Sequence, residues 1–203
     1  MKMKAYFILI ILSALTFCNC AMILVGAIGA SADATSYTKR DELLEEFMEY
    51  VHQEDMEAVT EFLEKIKIAD NTTARRFLEL ALISTVETGN ITVVEMLIKT
   101  GVKVSRDDDD GRTSLIAAAD LGYTEITQLL IWSGPDLDDR GKEGRTALIF
   151  AVLSDHIDIP GILIEAGADV KRESKEDYTA LEYAQSEGRT EMVKILREAG
   201  AAE

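Results

Sequence analysis

Four consecutive aspartates at 107–110, directly before Gly111, are the residues of this sequence with the most obvious chemistry. Carboxylates crowded in front of a glycine suit a hard cation such as calcium. A helix–loop–helix calcium site, however, requires oxygen ligands at alternate positions, glycine sixth and glutamate twelfth. With Gly111 sixth, Arg106 falls first and Ala117 twelfth, so the motif fails at both ends. Two readings remain beside weak, nonspecific cation attraction: a solvated loop, or an acidic lure for a basic partner.

The other groups that do chemistry are sparse. His52 and His156 are the only histidines, and Cys18 and Cys20 the only cysteines. No G-x-S-x-G elbow and no glycine-rich phosphate loop occurs. With two histidines and cysteines confined to the N-terminal segment, zinc sites and nucleophilic triads cannot be assembled. The expectation is a noncatalytic protein with no metal and no cofactor. An enzyme or cation-binding protein that uses the acidic loop is the competing class. "NTT" at 71 and "NIT" at 90 match the glycosylation acceptor, which matters only in a eukaryotic exported protein.

Charge narrows the partners. The formal net charge is -16, from 21 basic and 37 acidic residues. Lys2 and Lys4 are the only charges among the first 32 residues, so the remainder has 19 basic residues against 37 acidic and a charge of -18. Phosphate backbones need a basic face, so nucleic acid is excluded as a partner. Such a charge would steer a partner with a basic surface.

Residues 1–32 form a segment of their own. "MKMK" supplies a positive start, and a charge-free apolar run follows over residues 5–30. This reads as an export signal, with Ala30, Ser31 and Ala32 giving an A-x-A cleavage match, or as an uncleaved membrane anchor with its N-terminus inside. "LTFC" at 15–18 faintly resembles a bacterial lipoprotein box, although Phe17 stands where a small residue belongs. Cleavage after Ala32 leaves no cysteine, so the mature fold must rely on packing alone. The expected location is periplasmic or secreted, or membrane-anchored with the remainder outside the cytoplasm; membrane contact is expected only through residues 5–30, if they are retained.

The elements that position these residues follow from a repeat. "GRTSLIAAADLGYTEITQLLIWSG" begins at Gly111, "GRTALIFAVLSDHIDIPGILIEAG" at Gly144 and "DYTALEYAQSEGRTEMVKILREAG" at Asp177, each 33 residues after the last. Thr113, Thr146 and Thr179 share the register, as do Leu115, Leu148 and Leu181. Gly101, Gly134, Gly167 and Gly200 close the units. Upstream, "FLELALISTVETGNITVVEMLIKTG" keeps the register with Leu80 in the threonine position, as a degenerate first repeat. Self-similarity at such a period marks a stacked array. Each unit reads as a short helix with small residues on one side, a turn at Gly89, Gly122, Asp155 or Gly188, and a second apolar-spaced helix. Those turn positions are expected to be left-handed, with aspartate tolerated at 155.

These residues resemble the ankyrin repeat family: the T-x-L starts, the small pair Ala117 and Ala118, the mid-unit glycines, and "EAGADV" at 165–170. The resemblance covers about residues 77–201 and implies an all-α solenoid with hairpin-like loops between units. The family's usual proline is Ser114, Ala147 and Ala180 here, and its histidine is Ile116, Ile149 and Glu182, which puts the hydrogen bonds of those histidines in doubt. Pro160 and Gly161 in the first turn of a second helix make the third unit the expected soft point.

The resulting organisation is a signal or anchor at 1–32, a linker at 33–40, a capping helical pair at 41–70, and repeats at 71–203. The repeat cores span about 77–104, 111–137, 144–170 and 177–201, giving five stacked helical pairs in all. Apolar spacing in Leu43, Leu44, Phe47, Met48 and Val51, then in Met56, Val59, Phe62, Leu63 and Ile66, carries the capping pair.

The family binds proteins through loop tips and the exposed side of first helices. Carried over by register, the resemblance implies contacts at Arg106, Asp109, Asp110, Arg112, Asp120 and Leu121 in the second unit. The third contributes Asp139, Lys142, Glu143, Arg145, Leu153 and Ser154. The fourth contributes Arg172, Lys175, Glu176, Tyr178, Ser186 and Glu187. Leu121, Leu153 and Tyr178 are the expected anchors, being apolar at variable surface positions. The specific alternative is an inhibitor or regulator of an exported enzyme or toxin. Trp132 replaces Lys99, Glu165 and Glu198 of the other units and is expected to pack against Pro135 or to form a second contact patch. His156 is expected to be exposed and structural.

Overall fold

The computed structural model describes residues 34–69 and 72–200. The candidate signal or anchor, both cysteines and Asn71 lie outside the described residues. Ten helices are present among the described residues, joined by turns, and the one β-bridge is an isolated antiparallel pair between Asp107 and Thr113. The chain divides into two compact units, one ending at Phe77 and the other beginning at Leu78.

In the first unit, α1 (Ala34–His52) packs on α2 (Met56–Ala69). Apolar residues at helical spacing meet in an aromatic core: Phe47 lies 5.4 Å from Phe62 and 5.9 Å from Phe77, ring centre to ring centre. All three rings are buried. Helix α1 starts at Ala34, inside the segment read as a linker at 33–40. That stretch has no glycine or proline to stop a helix, so it extends the amphipathic run back from Asp41.

Helix α3 (Thr72–Thr88) is longer than the first helices of the later units. Leu80 stands where those units place a capping threonine, so nothing starts a helix there and α3 runs back to Thr72. Then α4 (Ile91–Lys99), α5 (Ser114–Leu121), α6 (Thr124–Trp132), α7 (Ala147–Leu153), α8 (Asp158–Glu165), α9 (Ala180–Ser186) and α10 (Thr190–Glu198) alternate in two layers. First helices pack as α5 on α7 on α9, and second helices as α4 on α6 on α8 on α10. The close approach in the first layer uses Ala117, Ala118, Ala147, Ala151, Ala180 and Ala184, all fully buried. Leu115, Leu148, Leu130 and Leu163 fill the space between the layers.

Local chemistry fixes each hairpin. The hydroxyls of Thr113, Thr146 and Thr179 accept from the backbone N–H three residues on, capping α5, α7 and α9. Gly89, Gly122 and Gly188 have φ near +70°, and Asp155 takes the same left-handed place at +61°. The unit-ending glycines are left-handed as well. Without the family's proline, Ser114 turns its hydroxyl to the Val104 carbonyl at 2.9 Å. Without the family's histidine, Glu182 closes a capping box with Thr179, and Ile116 and Ile149 are simply buried.

Candidate partner-binding surface

Three loop tips share one backbone. Asp108, Gly141 and Ser174 each donate an N–H to the carbonyl four residues on, at Arg112, Arg145 and Tyr178. Each also accepts, through its carbonyl, the N–H of Gly111, Gly144 or Asp177. Those last three residues have φ of +76°, +71° and +60°, so the turn needs a left-handed residue and the third tip supplies it with aspartate. The four aspartates are therefore a turn, with Asp109 and Asp110 at its corner. Asp108 faces inward, its Oδ1 accepting from the N–H groups of Asp110 and Arg112 at 2.9 and 2.8 Å. Among the described residues no group of three or more histidines, cysteines or carboxylates is arranged to hold a metal.

Neighbouring tips are tied side by side. Lys142 Nζ lies 3.0 Å from Asp110 Oδ1, and this contact raises the Lys142 pKa. Lys175 donates its backbone N–H to Glu143 O and its Nζ to Lys142 O. Behind the tips runs a second ladder: Asp136 N–H donates to Ser105 Oγ and Asp169 N–H to Asp138 Oδ1, each at 2.9 Å. Between these rungs, burial and then the charges of Asp136 and Asp107 push the half-buried Asp139 carboxyl up, while the Ser105 hydroxyl holds it down. Its Oδ2 is buried without a hydrogen-bond partner.

Several residues implicated as partner contacts are engaged within the stack. Arg112 bridges Glu87 and Asp120. Asp120 also accepts from Ser154 Oγ at 2.7 Å. Arg145 pairs with Glu143 and Glu176 and lies 5.3 Å over the Tyr183 ring. The hydrogen bond from Tyr183, then that from Arg145, lowers the Glu176 pKa. Arg106 reaches the nearly buried Glu79 at 3.4 Å. Leu153 is half-buried and its carbonyl accepts from Arg189. Ser186 returns its hydroxyl to Tyr183 O, and Glu187 is exposed. Asp109, Asp110, Lys142, Glu143, Arg172, Lys175 and Glu176 are exposed.

Leu121 and Tyr178 are the exposed apolar candidates, at 40% and 47% of their surface. Tyr178 is steadied by Tyr183, its ring centre 5.5 Å away. Trp132 is 83% exposed, which corrects the expectation that it packs against Pro135. It ends α6 at the register position where the other units carry Lys99, Glu165 and Glu198. Ile157, half exposed in the third mid-unit turn, was passed over by the register reading. Its signal was available: Thr124 and Thr190 occupy the same place in the flanking units.

His156 is the second correction. It is half-buried, and Nε2 lies 2.8 Å from Asp120 O in the preceding unit. Its ring covers Gly122, where a Cβ would come within 2.5 Å. Tyr123 covers Gly89 likewise, and Arg189 reaches back to Leu153 O. Arg189 Nη1 also lies 3.0 Å from Asp155, an ion pair without hydrogen-bond alignment. In three successive units the residue after the turn thus clasps the turn before it, whereas Asn90 caps its own helix. Nothing in the spacing announced this, because the residue type differs in every unit.

Helical hairpins stacked at 33-residue intervals, with turned tips projecting from one edge, define a repeat solenoid of the kind that presents loops to other molecules. The family model for ankyrin repeats matches residues 47–141 and 117–202, in three copies. This chain belongs to the ankyrin repeat family, whose members generally mediate protein–protein interaction and are typically noncatalytic. The match begins at Phe47, within α1 and well upstream of residue 77, so family character extends into the pair read as a cap. No curated protein matches the chain.

Proposed function

We propose that this chain is a noncatalytic protein-binding module that engages its partner through the loop tips and the exposed ends of its first helices. The observation that carries this reading is the exposure of Tyr178 within a loop tip and of Leu121 at the C-terminal end of a first helix, on a backbone that is fixed from unit to unit. Preorganised loops lose little entropy on binding, and exposed apolar side chains on them make efficient anchors. The acidic tip at 107–110 steers a basic region of the partner toward the surface. A regulator or neutraliser of an exported enzyme or toxin is the specific form of this reading.

Capture of partners from the native compartment tests it. Leu121→Ala and Tyr178→Ala should each lose captured protein with the thermal melt unchanged; capture of the same set by both variants refutes the assignment. Replacing residues 107–110 by serine should leave the fold intact and slow association in a salt-dependent way. Ser174 already performs the work of Asp108 in the third tip, accepting from Glu176 N–H. Loss of helical circular dichroism would overturn that part.

Export rests on residues 1–32, by cleavage after Ala32 or by retention as an anchor. N-terminal sequencing of the protein from its native compartment distinguishes these, and a cytoplasmic protein beginning at Met1 removes both.

A further inference from the structure

The cations from residue 78 onward are not distributed evenly with respect to their partners. Lys99, Arg106, Arg112, Lys142, Arg145, Arg189 and Lys194 are each paired with a carboxylate. Arg140, Lys171, Arg172 and Lys175 are not: among the described residues, none of the four has a carboxylate at ion-pairing distance. In so acidic a chain this is unexpected, and apart from Lys103 the unpaired cations gather in two adjacent loops.

Two of them are held by neutral groups instead. Arg140 donates Nε to Gly144 O at 3.0 Å and Nη2 to Glu173 O at 2.6 Å. Lys175 donates to Lys142 O at 2.7 Å. A carbonyl orients a cation without cancelling its charge, and a guanidinium with two donors engaged has three left. Arg140, Lys171 and Arg172 line an open depression of about 450 Å³ between the two loops. Asp169, Glu173 and Asp177 line it as well. Of these, Asp169 turns Oδ1 to the Lys171 N–H. The depression is therefore close to neutral, with its cations unpaired, in a chain whose charge is -16.

We propose that this depression receives a carboxylate side chain from an acidic segment of the partner protein. Arginine meets carboxylates through parallel N–H bonds, and an anchored guanidinium loses little freedom in doing so. The proposal rests on the loop-tip reading above and deepens it. The partner meets the chain with opposite charges at two places, basic toward residues 107–110 and acidic toward Arg140, Lys171 and Arg172.

The test is a titration of the isotope-labelled protein with capped oligoglutamate and oligolysine peptides, followed by amide chemical shifts at low salt. Oligoglutamate should move amides at 140–144 and 171–177 and leave 107–112 in place, and oligolysine should do the reverse. The double variant Lys171→Ala with Arg172→Ala should weaken oligoglutamate about tenfold while leaving oligolysine and the thermal melt unchanged, because charge pairs of this kind govern affinity locally. The proposal is overturned if oligoglutamate leaves the depression unshifted, or binds the double variant as well as the native protein. Inorganic phosphate in place of the peptide gives a third arm: shifts with phosphate alone mean a free-oxyanion site, and the peptide assignment falls. If partner capture depends on Leu121 and Tyr178 but not on Lys171 and Arg172, only this proposal fails; if it depends on none of them, the loop-tip reading fails first.

Discussion

The tip at 108–112 and the tip at 174–178 have the same backbone bonds and almost nothing else in common. In the first, Asp108 braces the turn, glycine takes the left-handed place, and three further carboxylates crowd around it. In the last, Ser174 braces the turn, Asp177 takes the left-handed place, and Lys171, Arg172 and Lys175 lie in the same loop. The turn is thus specified chiefly by a left-handed residue near its end; Asp108 and Ser174 add a side-chain acceptor at its start, and Gly141 keeps the same backbone without one. Every other side chain is released from folding, and the chain uses that freedom to make one tip acidic and to gather unpaired cations at the other.

The middle tip, held from both sides, breaks this comparison hardest. At Gly144 a Cβ would lie 2.9 Å from the backbone nitrogen of Lys175, in addition to the left-handed backbone. Gly144→Ala should cost about 2–3 kcal/mol, in the range for a strained backbone residue with an added contact. Gly111→Ala, whose Cβ would meet Lys142 at 3.4 Å, should cost only about 1–2 kcal/mol from conformation alone. Urea unfolding of the two variants measures the difference, and equal losses would mean that contact between tips contributes nothing.

The caps come next. Thr146→Ala removes a buried hydroxyl that accepts from Ile149 N–H and should cost about 1 kcal/mol, as N-cap losses do. Of opposite sign, Gly161→Ala should gain about 0.5–1 kcal/mol. Gly161 lies inside α8 with open space where a Cβ would go. A gain confined to the third unit in hydrogen exchange would mark that unit as the soft one.

Acidity separates the tips with the smallest effect. Glu176 has its pKa lowered by the Tyr183 and Arg145 hydrogen bonds, and Glu182 by the N–H and hydroxyl of Thr179. Both contributions are complete at neutral pH and are lost as pH falls from the ordinary glutamate range through the lowered folded values. Asp139 runs the other way: its raised folded pKa means that its charge opposes folding at neutral pH and that acidification relieves it. Asp139→Asn should therefore raise the melting temperature at pH 7, with the gain vanishing as pH falls below the folded pKa. A melt unchanged at both pH values removes the strain assigned to this carboxylate.

Much of the fold was legible because its determinants are local. A period of 33, a threonine before each first helix and a left-handed residue after it are readable from single positions, and even aspartate at 155 announced its conformation. Long α3 shows the same rule by exception, since Leu80 removed the cap and the helix ran through. The surface was less legible. Leu121 and Tyr178 stood out by register, but Arg112, Asp120 and Arg145 could not be separated from free surface charges, because their partners come from elsewhere in the chain.

The sequence by itself determined the class of fold, the placement of the turns and the acidic character of residues 107–110, since propensity, capping and periodicity act within a few residues. Only the tertiary structure decided which charges are cancelled and which are left, that His156 clasps the preceding turn, and that Trp132 stands in solvent. Those outcomes depend on which side chains of successive units come within about 3–4 Å of each other, a distance that stacking sets and linear order does not.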